Sequence, residues 1–134
     1  MTIGEHIEVD PVEPYSKIVK AAGLVFVKSQ IGRDYDGTFP GDIASQTANT
    51  LAHLAHALEM AGTTMHRAMK LNVYLANIDD DFGGMDAACG EFFTEQGVHE
   101  APARTTIGAP LSWPEILVQM DIIALEGDIA GSPA

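Results

Sequence analysis

The 134-residue chain has one cysteine, one tryptophan and only seven lysines and arginines, against 19 aspartates and glutamates. The lone Cys89 excludes an internal disulfide framework and fits a reducing compartment. The basic deficit leaves a net charge of −12. That argues against nucleic acid, because neutralising phosphates needs clustered cations and the sequence has no such stripe. Anionic membrane surfaces are disfavoured for the same reason. No apolar run approaches the ~18 residues of a membrane span, and no basic-plus-apolar signal opens the chain, so the expectation is a cytoplasmic protein. No glycine-rich phosphate loop precedes a helix, and no nucleotide cofactor is expected. The histidines (His6, His53, His56, His66, His99) offer one helical pair, His53 and His56, without a third ligand. No metal is expected either.

What is present describes an ordinary globule. Hydrophobic residues make up 46% and charged residues 19%, which fits a single domain over 1–134 with its core at about 11–126. Residues 127–134 are small and polar, and read as a fraying tail. Residues 1–16 are polar, with Glu13-Pro14-Tyr15 extended or in a turn. Ile18–Ala22 and Leu24–Ile31, divided by Gly23, read as a hairpin. In its second strand, simple alternation puts Val25, Val27 and Ser29 on one face and Leu24, Phe26, Lys28 and Gln30 on the other. Lys28 on an apolar face either snorkels from a sheet edge or points into a pocket. Asp42 caps a helix that ends at Gly62, with Ile43, Thr47, Leu51, Leu54 and Leu58 as its buried stripe. A strand over Arg67–Asn77 buries Met69, Leu71, Val73 and Leu75. A second helix opens on Asp79-Asp80-Asp81, buries Phe82, Met85, Cys89 and Phe92, and closes at Gly97. Cys89 reads as a small core residue, since nothing basic is near it in sequence.

The segment Glu100–Leu111 carries one arginine among small residues. Pro102 biases Ala101 towards extended geometry, so Arg104 is reached on a strand with space around its guanidinium. Such a fork of donors suits a carboxylate or phosphate, and it equally suits a surface salt bridge. After a turn at Gly108–Pro114, Ile116–Leu125 is apolar on both faces, with Gln119 and Asp121 interrupting the Leu117 face. Helices can cover one side, and the other asks for a partner subunit. The order β-β-α-β-α-β-β gives an α+β fold with helices on one face of a sheet.

Several motifs in this order resemble the RidA/YjgF/YER057c/UK114 family of reactive-intermediate imine/enamine deaminases. They are Pro14-Tyr15, Ser29-Gln30-Ile31, Gly41-Asp42-Ile43-Ala44 with Gln46-Thr47, Ala61-Gly62, Lys70-Leu71, Val73-Tyr74-Leu75, Asp81-Phe82, Glu91-Phe92-Phe93 and Pro102-Ala103-Arg104. The resemblance implies a chorismate mutase-like fold: a mixed sheet with two helices on one face, trimerised around a central barrel. It also implies ligand clefts between subunits. Arg104 matches the arginine that grips the substrate carboxylate, and Tyr15 the tyrosine that lines the pocket from the neighbouring subunit. The family's water-positioning glutamate lies 15 residues after that arginine, where this chain has Gln119. The usual cysteine two residues after the arginine is Thr106, and Lys28-Ser29 replaces a common Ser-Gly.

An amide orients water but has no useful pKa for moving a proton, and losing a positioned acid–base group costs ~10²–10⁴ in rate. Asp121, about 7 Å further along the same strand face, is a candidate substitute. The resulting expectation is a homotrimeric hydrolase acting on a small carboxylate-bearing imine or enamine. Arg104 and Gln119 are its catalytic pair, and Tyr15, Lys28, Ser29, Thr106 and Asp121 are its binding residues. Lys28 suits a second carboxylate, as in an aminomuconate-type dianion, or alternatively a Schiff base. The alternative is a catalytically silent trimeric binding protein, because the arginine persists without the glutamate. Ribonuclease and chaperone roles, linked to the family, rank below both.

Overall fold

A computed structural model describes residues 4–9 and 12–127. The tail at 128–134 and Pro11 lie outside the described residues. The strands are β1 (Glu5–Val9), β2 (Ser16–Ala21), β3 (Leu24–Ile31), β4 (Ala68–Leu75), β5 (Ala103–Gly108) and β6 (Val118–Leu125), and the helices α1 (Ile43–Met60) and α2 (Ile78–Glu95). They form one six-stranded sheet in the order β1-β2-β3-β6-β4-β5. β4 and β5 run parallel, joined through α2, and the other pairs are antiparallel. The mixed sheet and the two helices agree with the expected layout.

The hairpin turn is Ala22-Gly23, with φ of 55° and 79°. Two left-handed residues match the twist of the flanking strands, and Gly23 adopts that geometry without a steric cost. α1 starts at Asp42, whose carboxylate accepts from the Ser45 N–H at 2.8 Å, and Thr47, Leu51, Leu54 and Leu58 are fully buried on it. α1 packs on α2, β3 and β6. Along β6, Val118, Met120, Ile122 and Ala124 are buried against the helices, so Gln119, Asp121, Ile123 and Leu125 face the open side. Phe26, Ile107 and Leu125 are 39%, 46% and 38% exposed, and the open side of the sheet therefore carries apolar surface.

Four local readings are corrected. β1 was not foreseen: Ile7, paired with Ile18, is the apolar side chain amid Glu5, His6 and Glu8, and an edge strand needs little more. Met69 is 49% exposed instead of buried, because the β4–β6 register shifts between Ala68 and Lys70. On α2 the buried set is Met85, Cys89 and Phe93, while Phe82 is 42% exposed and Phe92 half-buried. The fourth correction concerns β3. Val27 pairs with Ile122, but Gln30 pairs with Met120, so three steps on β3 oppose two on β6. This bulge at Lys28-Ser29 breaks the alternation, and Ser29 leaves the Val25 and Val27 face.

Candidate active site

The bulge brings the side chains of β3 and β6 together on the open face. Gln119 Nε2 donates to Ser29 Oγ at 2.9 Å, which fixes the amide and leaves Oε1 without a donor among the described residues. Lys28 extends its ammonium over the Tyr15 ring, 5.2 Å from the centroid, and also donates to the Ser29 carbonyl at 3.3 Å. Burial, aided by the charge of Lys17, pulls the Lys28 pKa below its ordinary value. These four residues line one cavity of about 450 Å³, closed at its far wall by Ser112, Trp113 and Ile116. A neighbouring cavity of about 420 Å³ shares Lys28, Ser29 and Gln119 and adds Tyr74 and Asp121.

Asp121 is already engaged. Its Oδ1 accepts from Asn72 Nδ2 at 2.8 Å, and burial, then the hydrogen bond to Asp121 and its charge, raise the Tyr74 pKa. The loop before β6 is pinned by Gln46, which is 1% exposed. Its Nε2 donates to the carbonyls of Pro40 (2.8 Å) and Glu115 (2.7 Å), and its Oε1 accepts from the Leu117 N–H at 2.9 Å. Gly32 makes this docking possible, because a Cβ there would run into the Gln46 backbone.

Arg104 is elsewhere. It sits on β5 in register with Leu71, on the helix side of the sheet. Its guanidinium donates to Asp86 Oδ1 at 2.7 Å and faces the Phe82 ring at 5.8 Å. The ion-pair reading of Arg104 therefore holds within the chain, with a partner, Asp86, that sequence proximity did not suggest. A cavity of about 450 Å³ joins Arg104, Asp86 and Cys89 beneath Pro102. The basic neighbour that Cys89 lacked in sequence is thus present in space, yet burial outweighs it and pushes the thiol pKa up to about 11. Thr106 shares the Arg104 face and is half-buried beside Val73. Tyr15, Lys28, Ser29, Gln119 and Asp121 are assembled, while Arg104 and Thr106 lie across the sheet from them. Among the described residues no three His, Cys, Asp or Glu side chains gather for a metal, and no helix is long and apolar enough to cross a membrane. His53 Nε2 instead bonds the Arg33 carbonyl at 2.7 Å.

These features define a class of small α+β proteins with a polar cavity at a bulged central strand. Residues 6–126 match the family described as endoribonuclease L-PSP. The mitochondrial protein mmf2 of Schizosaccharomyces pombe is 38% identical over 117 residues, covering 84% of this chain and 88% of that one. A 2-iminobutanoate/2-iminopropanoate deaminase of Dermatophagoides farinae is 27% identical over 100 residues, with 73% and 74% covered. A solved member of the YjgF family from Neisseria meningitidis aligns with a TM-score of 0.80 at 25% identity, over 92% of this chain and 95% of that one. The chain belongs to the family of YjgF and UK114, as its motifs indicated.

Proposed function

We propose that the protein is an imine/enamine deaminase-type hydrolase whose pockets are completed between the subunits of a homotrimer. The observation that carries this reading is the Ser29–Gln119 hydrogen bond of 2.9 Å. It presents a fixed amide oxygen to a cavity that also holds an ammonium and a tyrosine ring. A water donating to Oε1 is aimed at the carbon of a C=N bond. Its oxygen forms the new C–O bond while the C=N electron pair moves to nitrogen, which takes up the proton that the water gives up. The resulting carbinolamine collapses to a carbonyl and ammonia. Gln119 cannot move the proton; the titratable groups lining the same cavity are Lys28, with its lowered pKa, and Tyr15. The carboxylate grip comes from Arg104 of a neighbouring copy, because within one chain Arg104 and Gln119 occupy opposite sides of the sheet. A partner chain would also cover the apolar open face. An acidic surface of net charge −12 gives RNA phosphates little footing, which disfavours the ribonuclease reading.

A second reading is a silent binding protein of the same fold. Gln119 favours it, since an amide stands where the family carries its acid–base glutamate. Ammonia release from freshly generated 2-iminopropanoate and from a 2-aminomuconate-like enamine separates the two. Wild type is expected above buffer and Arg104→Ala at background. Gln119→Glu is expected to gain roughly 10²-fold or more on the smaller substrate. Inert wild-type protein that still binds carboxylates through Arg104 would establish the second reading.

A further inference from the structure

We propose that the Lys28–Gln119 cavity continues past Trp113 into a second anion subsite on Arg33, so that the site accepts an elongated ligand with two anionic ends and a flat middle. The proposal deepens the reading above and rests on it. Gln30, Ile31 and Trp113 line the first cavity and also a second one of about 440 Å³, which contains Arg33. The indole therefore stands as a shared wall between two cationic ends.

Arg33 is held in an unusual way for this protein. Its Cζ is 5.2 Å from the Phe39 ring centroid and 5.2 Å from that of Trp113. Its Nε is buried with no acceptor among the described residues. The ion pairs among the described residues involve Lys17, Lys20 and Arg104, not Arg33 or Lys28. Arg67 and Lys70 also make no ion pair among the described residues, but only Lys28 and Arg33 of these cations line adjoining cavities. Asp34 lines the Arg33 cavity too, but its Oδ1 accepts from Asn49 Nδ2 at 2.8 Å, and it makes no ion pair with Arg33.

Contact with aromatic faces orients a guanidinium and consumes none of its N–H donors, which lie in its own plane. Those donors match a carboxylate or a phosphate in bidentate geometry. The backbone beneath is fixed by His53, which bonds the Arg33 carbonyl, and Tyr35, 98% exposed, stands edge-on to His53 at 6.0 Å. The indole of Trp113, 49% exposed, offers a surface for a conjugated or aromatic spacer. Five residue steps of extended chain lead from Lys28 to Arg33, which limits their backbone separation to roughly 16 Å. A conjugated dicarboxylate, or a phosphate-bearing aromatic acid, fits those terms.

The test uses benzoate, para-phenylbenzoate and the matched biphenyl dicarboxylate as probes, titrated by calorimetry into the intact oligomer. Trp113, the only tryptophan, reports the same events by fluorescence. The dicarboxylate is expected to bind wild type about tenfold more tightly than para-phenylbenzoate, as one charge-assisted contact would give. Arg33→Gln is expected to abolish that ratio and leave benzoate within about twofold, while Arg33→Lys keeps part of the ratio. Benzoate binding with a ratio that Arg33→Gln leaves intact overturns the subsite alone. Wild type that binds none of the three overturns the reading of the first cavity and the subsite with it.

Discussion

Asp86 decides how available Arg104 is. The two side chains are 27% and 54% exposed at 2.7 Å, so solvent screens their attraction and the pair is worth at most about 1 kcal/mol. Removing the competing charge while keeping the hydrogen-bonding shape should free the guanidinium. Asp86→Asn is expected to tighten a small monocarboxylate roughly two- to fivefold, as read by calorimetry. Weaker binding would instead make Asp86 the residue that holds Arg104 in place. Gln119, Lys28 and Tyr15, which share one cavity, could be singled out because each sits in a local motif or at a fixed spacing, whereas the position of Arg104 across the sheet could not be read that way. Asp86 and Arg33 were not legible, since their significance comes from contacts with a helix, a loop and a ring that no short window of sequence contains. Trp113 left a faint signal, a single tryptophan in a proline-bounded turn.

Among the elements, α1 does more than cover the sheet. Through Gln46 its first turn holds the loop before β6, and with it the Trp113 wall of the cavity. Gln46→Leu removes three hydrogen bonds and leaves buried backbone groups without partners. It is expected to cost roughly 2–4 kcal/mol in chemical denaturation. Proteolysis should become faster at the loop around Ser112. An unchanged denaturation midpoint would mean that water replaces the amide. The elements themselves were mostly readable: caps at Asp42 and Gly62 and the two-faced strand at Ile116–Leu125 are written in adjacent residues. Strand parity beyond a bulge is not, because register depends on the partner strand. That is why Met69 and Ser29 were placed on the wrong faces.

At the scale of the whole molecule, one chain carries each half of the proposed pocket on opposite sides of its sheet. Mixed oligomers test this directly. Co-expressed Arg104→Ala and Gln119→Ala chains, each inactive alone, are expected to regain a measurable fraction of wild-type ammonia release where an intact Arg104 meets an intact Gln119. No recovery in a confirmed mixed trimer would place the whole site within a single chain. The apolar open face was legible in β6, whose apolar residues face both ways. That Arg104 and Gln119 fall on opposite sides of the sheet was not, since it depends on the register of β5 beside β4 at the sheet edge.

The bulge at Lys28-Ser29 acts on β3 as a frameshift acts on a message with a two-letter code. Every position after it is read in the opposite phase, and the Ser29–Gln119 contact exists only in that shifted phase. Point substitutions can therefore retune the cavity, exchanging one charge or ring for another. Shifting the cavity along the strand pair takes the insertion or deletion of a residue. The lining of the cavity is consequently free to change by substitution while its place on the sheet stays fixed by register.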